Sequence, residues 1–233
     1  MSVKTGGARH GAREPGVSGG RHLVLRVTWL YFGLVGFGVS LALLVRARLG
    51  LDPWDVLHQG LALRLKVPIG WVVVGMSFVV LAAWAPLRQR PGFGTLSNAV
   101  VVGLVVNVAL QVLPSPRALP ARVAMMAGAI VGNGVATGFY IGAGLGPGPR
   151  DGLMTGIAAR GHSVRATRTA IEVSVLVVGI ILGGTIGAGT VAYALCIGPL
   201  VHFFLPRLSL VGRPARTSGT EGRPGKRRTR WAL

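Results

Sequence analysis

Charged residues are scarce in this chain, and acidic residues are the scarcest. Asp, Glu, Lys and Arg together make up 13% of the 233 residues, and only six of them are acidic, against 25 that are basic. Soluble domains usually carry about a quarter charged residues. Because 51% of the residues are hydrophobic and many lie in long apolar runs, we interpret the chain as an integral membrane protein.

The sequence also has a single cysteine and none of the common motifs of catalytic or metal sites. The single cysteine, Cys196, excludes an internal disulfide framework and a cysteine-based metal site. The five histidines show no metal-ligand spacing, and the sequence has no Walker loop, dinucleotide fingerprint or serine-nucleophile elbow. We therefore expect no enzyme activity, no catalytic residue, no cofactor and no metal.

The net charge of +19 is concentrated towards the two ends of the chain. Basic flanks beside apolar spans follow the positive-inside rule, and they attract anionic lipids at the cytoplasmic face of the bilayer. No nucleic-acid recognition module accompanies the charge, so we expect no nucleic-acid partner. We expect segments 1–22 and 211–233 to be disordered, basic cytoplasmic tails of a multi-pass plasma-membrane protein.

Six apolar runs are long enough to cross a bilayer as helices, which predicts an all-α bundle of about six transmembrane helices. They lie at residues 24–45, 69–87, 93–113, 123–143, 167–186 and 188–205. Two shorter segments, 54–65 and 150–160, each begin at a proline-led turn. At about a dozen residues each they are too short to span comfortably, and we interpret them as re-entrant or interfacial helices.

The two short segments reveal an internal repeat, with residues 23–113 as its first copy and residues 121–210 as its second. The stretch GLDPWDVLHQG aligns with GLGPGPRDGLMTG, so that Pro53 and Asp55 fall on Pro149 and Asp151, 96 residues later. The prolines are expected to form the turns that start the two short helices. The protein is therefore expected to consist of two similar halves.

The last apolar run of each half begins with the same G-x-G-T motif. Gly94 and Thr95 in the first half correspond to Gly189 and Thr190 in the second. One interpretation is a helix start in which the threonine is a cap and the glycine a turn or packing position. The other places the hydroxyl and the backbone amides against a cavity.

Two topologies are compatible with this repeat. Three spans per half is an odd number, so the second half would enter the membrane from the opposite side, giving an inverted repeat with both termini inside. If the short helices also cross, the chain has eight spans and a parallel repeat. The charge bias of the loops favours both models equally, and segment length favours six spans.

Asp55, Asp151 and Glu172 are the leading candidates for a functional site. The two aspartates either cap their short helices or point into a central cavity, because interrupted helices mark the binding site in transporters with internal repeats. Glu172 lies inside an apolar run, four residues after Arg168, and forms either a snorkelling ion pair or part of the site. Asp52 adds a carboxylate in the first copy only. The candidate substrate-binding residues are Asp55, Arg150, Asp151, Glu172, Thr95 and Thr190.

Polar residues and glycines inside the apolar runs predict contacts between helices. We expect Asn107, Asn133 and His202 to form hydrogen bonds from one helix to another. Glycines at small-xxx-small spacing, such as Gly128 and Gly132, predict close packing of helices within the chain, with a homodimer face as the alternative.

The repeated motifs resemble the bacterial YczE/YyaS/YitT family of integral membrane proteins. The resemblance rests on GLGPGPRDGLMTGIAAR, AIEVSVLVVGIILGG and GAGTVAYALCIGPL in the second half and on GLDPWDVLHQG and GFGTLSN in the first, and it covers most of residues 30–205. The chain looks closest to the YczE branch, without the soluble C-terminal domain of YitT-type members. The resemblance implies a plasma-membrane location and a multi-span bundle, but no defined reaction.

The sequence as a whole favours a permease for a small solute, with anions as candidates because arginines surround the expected inner mouth. Two alternatives stay open: a non-transporting accessory or regulatory membrane protein, and a substrate-binding membrane subunit of a multi-component importer. A homodimer or a protein partner is compatible with each of them.

Overall fold

The regular secondary structure in the described part of the chain is entirely α-helical. The computed structural model describes residues 18–210, and within this range it contains eight α-helices and no strand. The prediction of an all-α bundle is confirmed. Residues 1–17 of the expected N-terminal tail (1–22) and the whole expected C-terminal tail (211–233) lie outside the described residues. Residues 18–22 are helical, because α1 begins at Ser18, inside the predicted N-terminal tail. The helices are α1 (Ser18–Ala47), α2 (Pro53–Leu65), α3 (Ile69–Ala82), α4 (Phe93–Val112), α5 (Leu119–Gly142), α6 (Pro149–Ala158), α7 (Val164–Ile181) and α8 (Ala188–Leu208).

Four of these helices are long and apolar enough to cross a membrane: α1 from His22 onward, α4, α5 and α8. The pair α2 and α3 passes the same test only when taken together, and it is bent by 114° at the break between them. Helix α7 has 18 residues, but Arg165, Arg168 and Glu172 interrupt its first half. The described residues thus contain four or five candidate spans, and the count of six stays a prediction.

The two short helices begin where the proline-led turns predict. Pro53 and Pro149 occupy the first turns of α2 and α6, where a missing N–H costs no hydrogen bond. Asp52 is the N-cap of α2, and its carboxylate accepts a hydrogen bond of 2.8 Å from the amide of Asp55. At the other end of α2, Lys66 adopts the left-handed conformation, and the chain then turns sharply into α3.

Helices α1 and α5 form an antiparallel pair in the bundle. Gly36 of α1 faces Ala136 of α5, and four residues later Ser40 faces Gly132. Residue numbers at the contacts therefore rise along α1 and fall along α5, so the two helices run in opposite directions. Small residues at these positions let the two backbones approach closely, as they do in membrane helix pairs.

Several predicted packing glycines indeed meet another helix. Gly134 faces Leu200, Gly138 faces Phe204 and Leu208, and Gly179 faces Leu57. Gly128, by contrast, has no heavy atom within 4 Å of the position that a Cβ would take. Close packing within the chain therefore accounts for most of these glycines but not for Gly128.

Equivalent residues of the two halves make reciprocal hydrogen bonds. Near the start of α1, Arg26 Nε donates over 2.7 Å to the carbonyl of Ala143, which follows α5. Near the start of α5, Arg122 Nε donates over 2.8 Å to the carbonyl of Ala47, at the end of α1. Donor and acceptor are both shifted by 96 residues between the two bonds. Such an exchange of partners is the pattern that a two-fold axis produces.

The G-x-G-T motifs show the same reciprocity. The amide of Gly94 donates over 2.8 Å to the carbonyl of Leu145, and the amide of Gly189 donates over 2.7 Å to the carbonyl of Leu49. Because α1 and α5 run antiparallel, the axis that relates the halves lies across these helices rather than along them. These contacts support the inverted form of the repeat, which stays a prediction for the chain as a whole.

Both ends of the described chain lie at the same end of the bundle. Trp29 Nε1, in the first part of α1, donates over 3.0 Å to the carbonyl of Leu208, the last residue of α8. We call this the terminal end of the bundle, and we call the opposite end, where Ala47 meets Arg122, the distal end.

The third helices of the two halves pack differently. Helix α3 lies along α4, whereas α7 packs against α2 and makes no comparable contact with α8. The two halves are therefore related in sequence and in their reciprocal bonds, but not in the placement of α3 and α7.

Candidate functional site

A cavity of about 330 Å³ lies between the two halves and is lined by residues of both. It reaches from Asn133 and Tyr193 in the interior to Leu205 and Pro206 at the terminal end. Facing residues of α7 and α8 form part of its wall. The charged side chains that line it are Asp52, Arg150, Asp151, Arg168 and Glu172.

Every acidic residue of the described chain lies at this cavity or directly behind its wall. Asp52, Asp151 and Glu172 line the cavity. Asp55 lies one helical turn beyond Asp52, is 1% exposed, and contacts the guanidinium of Arg150. In a chain with only six acidic residues, this concentration is unlike a random scatter of capping residues.

Arg150 connects the second half of the chain to the first at this site. Its guanidinium lies 3.4 Å from Asp55 Oδ1 and 3.9 Å from Asp52 Oδ2. It also lies 5.2 Å from the centre of the Trp54 ring, within the range of a cation–π interaction. The two carboxylates are nearly fully buried, so a nearby cation is needed to offset the cost of burying their charge.

Asp55 has a further partner in His58, whose Nδ1 lies 3.0 Å from Asp55 Oδ1. His58 is itself 1% exposed. The cap of α2 is Asp52, so the carboxylate of Asp55 is free to bind Arg150 and His58. The capping interpretation therefore applies to Asp52 and not to Asp55.

Asp151 is not a helix cap either. Gly148 occupies the N-cap position of α6, which has no side-chain cap. The carboxylate of Asp151 instead accepts a hydrogen bond of 2.6 Å from the hydroxyl of Tyr140, on α5. None of the ion pairs within residues 18–210 includes Asp151, and Arg150 and Arg168 interact with its charge only from a longer distance.

Glu172 and Arg168 form the ion pair that their spacing predicts. Arg168 Nε lies 2.8 Å from Glu172 Oε1, and both residues line the cavity from α7. The side chain of Glu172 is 30% exposed and that of Arg168 is 52% exposed. The pair therefore lies in the more open part of the cavity.

Thr95 and Thr190 lie away from the cavity. The hydroxyl of Thr95 accepts a hydrogen bond from the amide of Gly92 and donates over 2.8 Å to the carbonyl of Pro147. The hydroxyl of Thr190 accepts from the amide of Gly187 over 3.3 Å. The threonines start α4 and α8, and Gly94 and Gly189 hold the loops that precede the opposite short helices. These four residues position the site rather than form its wall.

Several uncharged polar residues complete the cavity wall. Tyr140, Tyr193, Asn98 and Asn133 all line it, and the hydroxyl of Tyr193 donates over 3.3 Å to Asn133 Oδ1. The bond joins α8 to α5, as the apolar surroundings of Asn133 predict. The tyrosines were not predicted, because nothing in their local sequence separates them from other aromatic residues of apolar helices.

The described residues contain no group of three or more His, Cys, Asp and Glu side chains that could hold a metal ion. The acidic residues of the cavity are instead arranged around the two guanidiniums of Arg150 and Arg168. This arrangement suits the binding of a small polar or charged molecule by ion pairs and hydrogen bonds.

Comparison with known proteins agrees with the motifs. Residues 24–206 match the family of unknown function DUF6198. The chain is 41% identical to an uncharacterised protein of Haemophilus influenzae over 77% of its own length and 83% of the relative's. It is 33% identical to the uncharacterised membrane protein YczE of Bacillus subtilis, over 80% of this chain and 88% of YczE. It is 28% identical to the uncharacterised protein YyaS of the same species, over 76% of this chain and 92% of YyaS.

No solved structure matches the chain. The family match covers most of the residues that form the eight helices and all the charged residues of the cavity. The chain therefore belongs to the DUF6198 family and is a relative of the membrane protein YczE, as its repeated motifs indicate.

Proposed function

We propose that the protein is a permease and that the cavity between its halves binds the transported solute. The observation that carries the proposal is the convergence of all the described acidic side chains, with Arg150 and Arg168, on this one cavity. Ionisable groups at membrane depth are costly, and they mark solute or ion pathways in membrane proteins. In transporters built from repeats, the site lies at the interface of the repeats and beside interrupted helices.

The dimensions and position of the cavity agree with this function. Its volume of about 330 Å³ lies at the lower end of the range for small-molecule sites, roughly 300–1,000 Å³. The cavity reaches the terminal end of the bundle through residues of α8, so a small solute has a route to it from one side.

The charges around the cavity favour a solute with a positively charged group, in place of the anion that the arginine-rich flanks suggest. Arg150 faces two carboxylates, and Arg168 faces one. Asp151 forms no direct ion pair, and its carboxylate accepts a hydrogen bond from the hydroxyl of Tyr140. At and directly behind the cavity wall, four carboxylates thus face two guanidiniums, and a cationic group of a solute would reduce this excess of negative charge at a depth where an unmatched charge is unfavourable.

We further propose that the protein lies in the plasma membrane with both termini in the cytoplasm and that it carries out transport without catalysis. The strongly basic sequence at both ends of the chain supports this orientation by the positive-inside rule and would contact anionic lipids. Since the two described ends meet at the terminal end, the cavity then opens towards the cytoplasm.

The proposal is tested by ligand-dependent stabilisation of the purified protein. The probes are choline, ethylammonium and guanidinium chlorides, compared with sodium acetate and sodium phosphate. A probe present at about a hundredfold excess over its Kd should raise the melting temperature by about 5 °C or more. We expect at least one cation to do so and neither anion.

Asp151→Asn is the informative variant, because its amide oxygen can still accept the hydrogen bond from Tyr140 while its charge is lost. We expect it to fold and to lose the stabilisation by the cation and its uptake into proteoliposomes. Ser174→Ala, on the exposed part of α7, is the matched control and should behave as the wild type. Stabilisation by anions with no effect of Asp151→Asn would contradict the cationic solute. A protein that no probe stabilises and that copurifies with one membrane partner would support an accessory function instead.

A further inference from the structure

The contact between α3 and α4 is close, and three residues form it. Gly70 and Gly103 are buried against each other, and a Cβ added at either residue would collide with the carbonyl of the other. Asn107 Oδ1 accepts a hydrogen bond of 2.9 Å from the amide of Gly70. We call this contact the α3–α4 seam.

The repeat supplies counterparts of the same residues on α7 and α8. Gly103 and Asn107 correspond to Gly198 and His202 at the offset of 95, and Gly70 corresponds to Ala166 at the offset of 96. All three counterparts are exposed. A Cβ added at Gly198 would have no heavy atom within 4 Å, so the seam that the repeat predicts between α7 and α8 is open.

In this structure Gly198 lines the cavity and precedes Pro199 within α8, but no contact between helices requires a glycine at this position. Glycine inside a helix destabilises it relative to alanine, and here no atom approaches closely enough to require it. The equivalent Gly103 shows what such a glycine permits, which is the contact of two helix backbones. A close approach of α7 to α8 in another arrangement would account for Gly198.

We propose that the protein has a second state in which the two halves exchange these roles. Ala166 and Gly198 close a seam between α7 and α8, while Gly70 and Gly103 separate. The cavity then loses its entrance at the terminal end and gains one between α3 and α4. The purpose of this exchange rests on the transport function proposed above, but its geometry rests on the repeat and on the two seams alone.

The positions of the seams give the direction of access. The residues of the α3–α4 seam lie in the middle and the second half of α4, which ends at the distal end. The cavity is lined on both sides of this seam, by Val73 and Ser77 of α3 and by Asn98 and Val102 of α4. Opening it would therefore connect the same cavity to the distal end. Exchange of two repeat conformations around one fixed site is a physical route to alternating access.

Disulfide trapping in native membranes tests the second state without a known solute. The variant carries Ala166→Cys and Gly198→Cys in a Cys196→Ser background, and an oxidant is added. A state populated at about 1% is sufficient, because the disulfide accumulates each time the two helices meet. We expect the cross-link to form although α7 and α8 are separated in this structure, and peptide mass spectrometry should detect it.

The native cysteine provides a matched control. Ala166→Cys alone leaves Cys196, which is exposed and lies two residues from Gly198, about 200° around the helix. We expect this pair to cross-link at least about tenfold more slowly than the designed pair, because the opposite face of α8 never meets α7. Equal rates, or no cross-link in the designed pair, would overturn the proposal.

The equivalent glycines offer a second test with opposite expected effects. Gly198→Ala fits this structure but would obstruct the second seam, so it should fold normally and abolish transport of any solute found in the stabilisation screen. Because Gly198 also lines the cavity, stabilisation by the same solute is measured beside transport. We expect transport to be lost with stabilisation retained, and loss of both would overturn the seam as the reason for this glycine. Gly103→Ala would press against Gly70 and should speed formation of the 166–198 disulfide. Normal transport by Gly198→Ala would overturn the exchange while leaving the permease function intact. A cross-link without any solute uptake would instead retain the two states and overturn the permease.

Discussion

The guanidinium of Arg150 lies 3.4 Å from the carboxylate of Asp55, and this ion pair joins the two halves of the chain beside the cavity. In the first half, the residue equivalent to Arg150 is Trp54, which Arg150 contacts through a cation–π interaction. The two short helices are therefore alike in sequence pattern but carry complementary side chains. This complementarity explains how buried Asp52 and Asp55 are tolerated in an apolar bundle.

Loss of the Arg150 guanidinium should destabilise the protein strongly. Arg150→Leu leaves Asp52 and Asp55 buried without a cation, and removal of one partner of a buried pair costs about 3 kcal/mol or more. We expect a clear fall in the melting temperature of the purified protein. Arg168→Gln is the control, because its pair with Glu172 is partly exposed and contributes at most about 1 kcal/mol. Equal losses in the two variants would contradict the role given to Arg150.

The reciprocal bonds of Arg26 and Arg122 predict matched effects of matched substitutions. Each arginine donates to two carbonyls at or just beyond the end of the partner helix, and a hydrogen bond from a charged group contributes about 1.5–3 kcal/mol. Arg26→Ala and Arg122→Ala should therefore lower the melting temperature by similar amounts. Arg117→Ala, at an exposed position between α4 and α5, should have little effect. A large loss in one variant and none in the other would argue against the two-fold relationship.

The hydrogen-bond partners of these two arginines could not be predicted from the sequence. Pro53, Asp55 and their counterparts could be aligned because prolines, glycines and acidic residues are rare landmarks in apolar sequence. Arg26 and Arg122 share the same offset of 96 residues, but each lies among other basic residues and gives no local sign of a partner. Their acceptors are backbone carbonyls more than 70 residues away, which no local pattern specifies.

The sequence predicts most of the charged residues at the cavity, but it does not predict the shape of the cavity. Asp151, Arg150 and Glu172 line it as the sequence suggests, whereas Asp55 lies one helical turn behind Asp52, buried against Arg150 and His58. The G-x-G-T motif was compatible with a cap or a cavity wall. The capping hydrogen bonds occur at Thr95 and Thr190, because the hydroxyl is held close to the helix start by its own backbone.

The contact between α6 and the end of α3 predicts an unequal response to two similar substitutions. A Cβ added at Gly152 would overlap the indole of Trp84, which is 2% exposed and donates a hydrogen bond to the carbonyl of Pro149. Gly152→Ala should therefore destabilise the protein by about 1–3 kcal/mol through overpacking. Gly128→Ala has open space and should be neutral or stabilise α5 by up to about 1 kcal/mol. Thermal unfolding of both variants checks this, and a neutral Gly152→Ala would contradict the packing of α6 on Trp84.

Arg64 and Arg160 distinguish the two topologies directly. Arg64 donates to the carbonyl of Leu182 and Arg160 donates to that of Pro86, so donor and acceptor again differ by 96 residues between the two bonds. Both arginines are exposed, so a cysteine at either position should react with a maleimide.

In an inverted repeat, equivalent positions face opposite sides of the membrane. In the Cys196→Ser background, Arg64→Cys should therefore react with an impermeant maleimide in intact cells, and Arg160→Cys should react only after permeabilisation. The Cys196→Ser parent should stay unlabelled in both conditions. Labelling of both positions only after permeabilisation would instead support eight spans and a parallel repeat, and it would remove the basis for an exchange between the α3–α4 seam and its counterpart.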